Sequence, residues 1–248
     1  MLTNKEIKLI KSLQQKKYRN LHGLFVAEGI KMVKELLGSR LEAHKVFVTD
    51  RSVFNEDADT AEKVSDSVNL ITDVELRKIS GLKTPNTALG VFRIPKMIPP
   101  VLSDWTLALD DVRDPGNLGA IIRLCDWFGI SNLVCSENTV DCYNPKVLQA
   151  TMGSIARVNI GYTSLPKFLA KSEIPVFGAF MDGETVYDKK LPGKGILVMG
   201  NEANGISTEV KEEVSEKIKI PQFGTLTTES LNVATAAAIL LNEVRRDN

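Results

Sequence analysis

The sequence has few of the residues that usually announce a known chemistry. It contains two histidines, His22 and His44, and neither stands at a metal-like spacing from Cys or Asp. No metal site is expected. The second half holds no histidine, which excludes a Ser-His-Asp triad there. Cys125, Cys135 and Cys142 are odd in number and form no CxxC pair, so reduced thiols in a cytosolic protein are expected rather than a disulfide framework. GxGxxG and Gly-Lys-Ser/Thr are both missing, which removes support for a dinucleotide fold or a Walker-type phosphate loop. No apolar run approaches the roughly 20 residues of a bilayer span, and the N-terminus has no apolar signal core. A cytoplasmic protein without a membrane partner is the expectation.

Net charge is also lacking, with 31 basic and 31 acidic side chains, but the charge is unevenly spread. Residues 1–40 carry nine basic and three acidic groups, and residues 51–75 carry two basic and seven acidic. A basic N-terminal face could hold RNA phosphates, with Lys16, Lys17 and Arg19 as candidates and Arg113 further along the chain. A solvated helix face explains the same charges, and charge alone leaves both readings open.

What is present is an ordinary globular composition, 43% hydrophobic and 25% charged. Leu2, Ile7, Ile10 and Leu13 predict an amphipathic first helix. Strand-like runs at 24–27, 45–49 and 88–94 then alternate with helical patterns at 30–37 and 73–79. That alternation predicts an α/β unit. Pro95-Lys96-Met97-Ile98-Pro99-Pro100 cannot continue a helix or a central strand. It marks a linker, so domains over 1–98 and 103–248 are expected. The second series predicts strands at 105–109, 132–135, 156–160, 176–180, 195–199 and 217–220, and helices at 119–128, 145–150, 165–171, 208–214 and 231–245. The last helix is apolar on most sides, and so is either buried or in contact with a partner subunit.

Three glycine-bearing loops follow strand-like runs, where α/β sheets place their ligands. The first is Asp114-Pro115-Gly116-Asn117-Leu118-Gly119, leading to Arg123. The second is Met199-Gly200-Asn201-Glu202-Ala203-Asn204-Gly205-Ile206, and the third runs from Ile220-Pro221 to Ser230-Leu231-Asn232. Each can be read as a turn. Asp-Pro-Gly-Asn is good turn chemistry by itself, and Arg123 could pair with Asp126 or lie over Trp127. Gly116-Asn117-Leu118-Gly119 also has the GxxG form of a KH clamp, which leaves the other two loops unexplained. Their joint presence, in this order, is what simple turns do not account for.

These loops resemble the three motifs of the SpoU (TrmH) family of RNA ribose 2′-O-methyltransferases, in the SPOUT superfamily, over roughly residues 104–245. The first domain, from Phe25-Val26-Ala27-Glu28-Gly29, resembles the family's L30e-like RNA substrate-binding module. The third loop is about two residues longer than the usual pattern, and Ala234 stands where serine is common. The resemblance implies an α/β fold: a C-terminal SPOUT domain with a deep trefoil knot, preceded by a smaller L30e-like α/β domain. General topology rules would not suggest a knot. It further implies S-adenosyl-L-methionine as methyl donor, a homodimer, and structured RNA as substrate, with 23S ribosomal RNA favoured over tRNA. A tRNA 2′-O-methyltransferase and a non-catalytic RNA-binding protein of the same fold are the alternatives.

Carried onto this chain, the motifs assign catalysis to Arg123, Asn117, Glu202, Ser230 and Asn232, and cofactor binding to Gly200, Ile220, Leu231, Met199 and Gly205. Gly200 is expected to let the cofactor approach closely. Family accounts make the first-motif arginine a base. A guanidinium keeps its proton in proteins, so Arg123 is expected to clamp the acceptor's phosphate and stabilise alkoxide charge. Asn117 is expected to hold either the loop or Arg123.

Overall fold

The computed structural model describes residues 2–54, 68–224 and 230–246. They fall into two compact units: Met1–Lys96 with Asp141–Ala156, and Met97–Val140 with Arg157–Asn248. The chain therefore leaves the first unit inside the proline segment. In addition, sixteen residues from the middle of the sequence belong with the N-terminal unit, a division that no composition shift announces.

In the first unit the elements are α1 (Asn4–Ser12), α2 (Lys16–His22), β1 (Leu24–Glu28), α3 (Ile30–Leu37), β2 (Ala43–Val48), β3 (Val68–Leu70), α4 (Asp73–Ile79) and β4 (Ala88–Arg93). Thr3 with Glu6, and Thr72 with Glu75, form capping boxes that fix the starts of α1 and α4. The sheet order is β1-β4-β2-β3, antiparallel except for the β2–β3 pair. Ile10 and Leu13 pack with Val26, Phe47, Leu76, Leu89 and Val91 in its core. The short strand β3 and helix α2 lie outside the sequence expectations. Helix α2 reads Lys-Lys-Tyr-Arg-Asn-Leu-His and buries only Arg19, so it has no apolar stripe to detect.

Arg19 corrects an expectation. Its side chain is 2% exposed, and Nε and Nη2 donate to Asp141 Oδ2 at 3.0 and 2.5 Å. Nη1 donates to the carbonyls of Leu13 and Gln14, both at 2.9 Å. A guanidinium spent inside the unit cannot meet phosphate; it fastens Asp141, and so the inserted segment, to α1 and α2. That segment carries α6 (Pro145–Thr151), capped by Asn144.

The half-buried pair Lys45–Glu6 makes a pH-dependent contribution. The Lys45 ammonium, then the Thr3 backbone and hydroxyl, pull the Glu6 carboxyl down to about 2. A depressed carboxylate stabilises the fold above its ordinary value of 4.5, and that contribution disappears as pH falls to about 2. Lys45 is 41% exposed, so solvent screening leaves about 1 kcal/mol or less. Glu6→Gln is therefore expected to melt a few degrees below the wild type at pH 7, the gap closing toward pH 2. A gap that persists at pH 2 would refute the assignment.

The second unit is a six-stranded, wholly parallel sheet in the order β10-β8-β9-β5-β6-β7. Its strands are β5 (Thr106–Leu109), β6 (Asn132–Ser136), β7 (Asn159–Thr163), β8 (Val176–Thr185), β9 (Ile196–Met199) and β10 (Glu216–Lys219). The helices are α5 (Pro115–Trp127), α7 (Leu165–Leu169), α8 (Thr208–Lys211) and α9 (Val233–Arg246). Leu165, Leu169 and Val210 from α7 and α8 pack on Ala108, Val134, Ile196 and Val198 of the sheet. Helices α5 and α9 pack on each other. Arg245 of α9 binds the carbonyls of Phe128 and Gly129 just past α5 and pairs with Asp104.

The helices expected at 165–171 and 208–214 end early, at Leu169 and Lys211, and three further elements differ. The strand predicted at 156–160 begins at Asn159, because Ser154–Ala156 is a 3₁₀ turn after left-handed Met152 and Gly153. The strand predicted at 176–180 runs on to Thr185 beside an irregular β10 register. Helix α5 starts at Pro115 rather than Gly119, so the breaker residues form its first turn, with Asp114 as cap and Pro115 in the position where a missing N–H costs nothing.

Candidate functional site

From β5 the chain proceeds to β6 and β7 on one side, while β9, β8 and β10 occupy the other. The crevice between the carboxyl ends of β5 and β9 is thus a topological switch point, the usual ligand position in such sheets. The first loop leaves β5 there, and the second leaves β9 there.

One amide joins all three loops. Asn117, in the first turn of α5, donates from Nδ2 to Glu202 Oε1 at 2.8 Å. Its Oδ1 accepts from Asn232 Nδ2 at 2.9 Å. Asn232 Oδ1 in turn caps α9 by accepting from the backbone of Ala234 and Thr235, at 2.9 and 3.3 Å. The helix cap fixes every orientation in this chain. Asn232 must turn its oxygen to the two N–H groups and its NH2 to Asn117. Asn117 must then offer its oxygen to Asn232 and its own NH2 to Glu202, which as a carboxylate can only accept. Of the two roles open to it, Asn117 holds the loops and not Arg123.

The second loop is closed on itself. Asn201 and Gly205 exchange backbone hydrogen bonds, both 2.9 Å, and Asn201 Oδ1 accepts from the N–H groups of Ala203 and Asn204. A Cβ on Gly200 would overlap the backbone of Gly205 and Ile206. The loop's own backbone fills that space, so its closure requires this glycine apart from any approach of a cofactor. Gly205 has φ +68 and nothing near its missing Cβ, so its need is conformational.

Arg123 lies six residues beyond Asn117 on α5, about 9 Å along the axis at the usual helical rise. It is exposed, with no hydrogen bond or ion pair to the described residues. Its suggested partner Asp126 is gripped instead by Arg157, whose Nε and Nη2 donate at 3.0 and 2.9 Å. No cation stands over Trp127 among the described residues. The described residues therefore give this guanidinium no internal work.

The remaining candidates separate. Met199 is buried, its carbonyl accepting from the Asp110 N–H. Ile220 is half-buried just past β10, Leu231 is 48% exposed, and Ser230 is exposed. The lengthened part of the third loop, 225–229, lies outside the described residues. Lys16 and Lys17 are exposed on α2; Arg113 is exposed and paired with Asp111. The sequence reading missed Asp110, Asp111 and Asn201. An Asp-Asp pair at a strand end and an Asn three residues before Asn-Gly were the available signals.

The profile of the SpoU rRNA Methylase family matches residues 104–242, the unbroken span that holds all three loops. The chain belongs to this family. The profile of the MRM3-like substrate binding domain matches residues 4–90, so the SpoU segment is preceded by a substrate-binding domain. The chain is similar to 23S rRNA (guanosine(2553)-2′-O)-methyltransferase RlmP of Bacillus subtilis, 29% identical over 98% of this chain and 96% of that one. A putative RNA methyltransferase of the TrmH family from Porphyromonas gingivalis has 37% identity and a TM-score of 0.89, with full coverage of both chains. An AdoMet-bound rRNA methyltransferase from Sinorhizobium meliloti has 30% identity and a TM-score of 0.84, over 100% of this chain and 96% of that one. SpoU membership leaves open which residues of the three loops act, and how.

Proposed function

We propose that this protein transfers the methyl group of S-adenosylmethionine to a ribose 2′-hydroxyl of 23S ribosomal RNA. The observation that carries the reading is the Asn232–Asn117–Glu202 chain at the switch point, with Arg123 on the same helix bonded to none of the described residues. The S. meliloti relative is AdoMet-bound, and the B. subtilis relative is named for 2′-O-methylation of 23S rRNA.

The residues at the strand ends suit the donor. A neutral adenosine needs apolar surface and main-chain polar groups; half-buried Ile220 and exposed Leu231 leave apolar surface uncovered, and the loop after β9 offers the backbone of Gly200 and Gly205. When bound, the donor supplies a sulfonium-activated methyl group. The chain's own task is to hold the acceptor in line, which can be worth about 7–11 kcal/mol. Arg123 clamps the acceptor's phosphate and offsets the charge that grows on the 2′-oxygen as its proton leaves. Glu202, held as a carboxylate acceptor by Asn117, can take that proton directly or through water. Ser230 and Asn232 set the third loop against the first. Exposed Lys16, Lys17 and Arg113 contact RNA phosphates.

The trefoil knot and the homodimer belong to the same proposal. Trp127 is 84% exposed on α5, and Ala234, Ala238 and Ile239 of α9 remain partly uncovered. A second copy seated there would cover them. Light scattering is expected to give twice the 27.3 kDa chain mass, and Trp127→Glu to shift it toward one. A wild-type monomer with full activity would remove the dimer from the account.

The reading is tested by incubating the protein with S-adenosylmethionine carrying a radioactive methyl group. Ribosomal RNA is expected to take up label and tRNA to remain unlabelled. Label on tRNA alone would transfer the function to that substrate. No label on either, and no heat on titration with S-adenosylmethionine, would mark a protein that binds RNA without methylating it.

A further inference from the structure

Asp111 combines features that neither the family match nor the site chemistry explains. It is one of two non-glycine residues with positive φ among the described residues, at +58. Side chains rarely adopt this conformation, and when a chain keeps one the surroundings hold it there. Here they do. The Asp111 N–H donates to Ser136 Oγ at 2.8 Å, and Ser136 Oγ shares a 3.0 Å hydrogen bond with Thr139. The Asp111 carbonyl accepts from Asn201 Nδ2 at 2.7 Å. Its carboxylate accepts from Arg113 Nε at 2.8 Å.

The preceding residue supports the same loop. Asp110 is 6% exposed, and its Oδ2 accepts from the Ser207 N–H at 2.8 Å. Two consecutive aspartates at the end of β5 thus hold both ends of the second loop: Asp111 holds Asn201, and Asp110 holds Ser207. Asn201 is saturated, with Oδ1 on Ala203 and Asn204 and Nδ2 on Asp111. The next residue is Glu202, whose carboxylate receives Asn117.

We propose that Asp111 is a positioning residue for methyl transfer: its left-handed backbone aims a carbonyl at Asn201, and Asn201 thereby sets where the Glu202 carboxylate meets Asn117. This rests on the function proposed above. The work is done by the backbone angle. The carboxylate serves only to hold Arg113.

Substitutions separate angle from charge. Asparagine and glycine accept positive φ, whereas a β-branched valine opposes it. Asp111→Val, checked for folding by circular dichroism, is expected to lose on the order of 10- to 100-fold in kcat, the scale of a small misplacement. Its KM for rRNA should match that of Asp111→Gly within about twofold, because both variants release Arg113 and so change the RNA contacts alike. Asp111→Asn and Asp111→Gly should keep kcat within about threefold of wild type. Asn201→Ala cuts the same link from the other side. It should lose as much as Asp111→Val, and the double variant should be no worse than either, as expected of one shared interaction.

A folded Asp111→Val with full kcat overturns the proposal. So does equal loss in the asparagine and glycine variants, which would give the role to the carboxylate. If Asp111→Val does not fold, Asn201→Ala decides, and full turnover there overturns it. Absence of methyl transfer by the wild type would instead sink the function proposed above, and this inference with it.

Discussion

Arg123→Ala is expected to lower kcat for methyl transfer by on the order of 10²- to 10³-fold, the usual cost of removing one preorganised group that meets developing charge. The melting temperature should hardly move. Arg123 is exposed and bonds to none of the described residues, and surface substitutions of that kind change stability by about 0.5 kcal/mol or less. This separation of effects is the signature of a group kept for a ligand. Were Arg123 a structural residue, activity and stability would fall together. Arg123→Lys keeps the charge but loses the planar fork that grips phosphate at two points, so an intermediate loss is expected with an unchanged pH profile. Retained turnover with a strongly shifted pH profile would count against the clamp and for a base. Steady-state kinetics across pH, paired with thermal melts, decides between them.

Gly200→Ala is expected to be the more damaging change for the donor site. The added Cβ has no room, because the atoms in its way are backbone atoms of Gly205 and Ile206 and not the end of a flexible side chain. The loop must open, and opening breaks the Asn201–Gly205 pair and frees Glu202 from Asn117. A loss of 100-fold or more in kcat/KM is expected from misplacement on that scale, together with a stability cost of about 1–3 kcal/mol for overpacking. Gly205→Asn provides the contrast. It meets no neighbour, and asparagine tolerates the left-handed angle, so it should retain most activity. Calorimetric titration with S-adenosylmethionine checks both. Equal affinity in Gly200→Ala and wild type would show that the loop does not need this glycine.

Much of this architecture was legible in the residues. Alternating apolar runs gave nearly every strand of both sheets, and Asp114-Pro115-Gly116-Asn117 marked the strand-to-helix corner. What escaped has physical reasons. Helix α2 buries only one residue, and that residue is an arginine, so its burial against Asp141, 122 positions away, has no local signal. The grouping of Asp141–Ala156 with the first unit rests on long-range contacts of the same kind, among them Gln149 on the Glu28 carbonyl and Tyr143 on Phe25. The parallel order β10-β8-β9-β5-β6-β7 cannot be read from strand positions alone, yet it is what brings Asp110 and Gly200 to one crevice. Within the site, residue types were readable but their partners were not. Asn117 looked equally suited to hold the loop or Arg123 until the cap on α9 fixed the direction of every amide. Gly200 stood out for lacking a side chain, but the packing of its loop on itself, which requires a glycine there, had no local signal.

The central claim is that Arg123, free of partners among the described residues and on the helix that begins at an interlocked set of loops, directs a methyl group to a ribose of ribosomal RNA. Its most direct test is mass spectrometry of nucleosides from 23S rRNA treated with S-adenosylmethionine and either the wild type or Arg123→Ala. The account predicts one nucleoside gaining a methyl group on its ribose with the wild type, and little or no gain with the variant. A methyl group found on a base, or equal ribose methylation by both proteins, would contradict it.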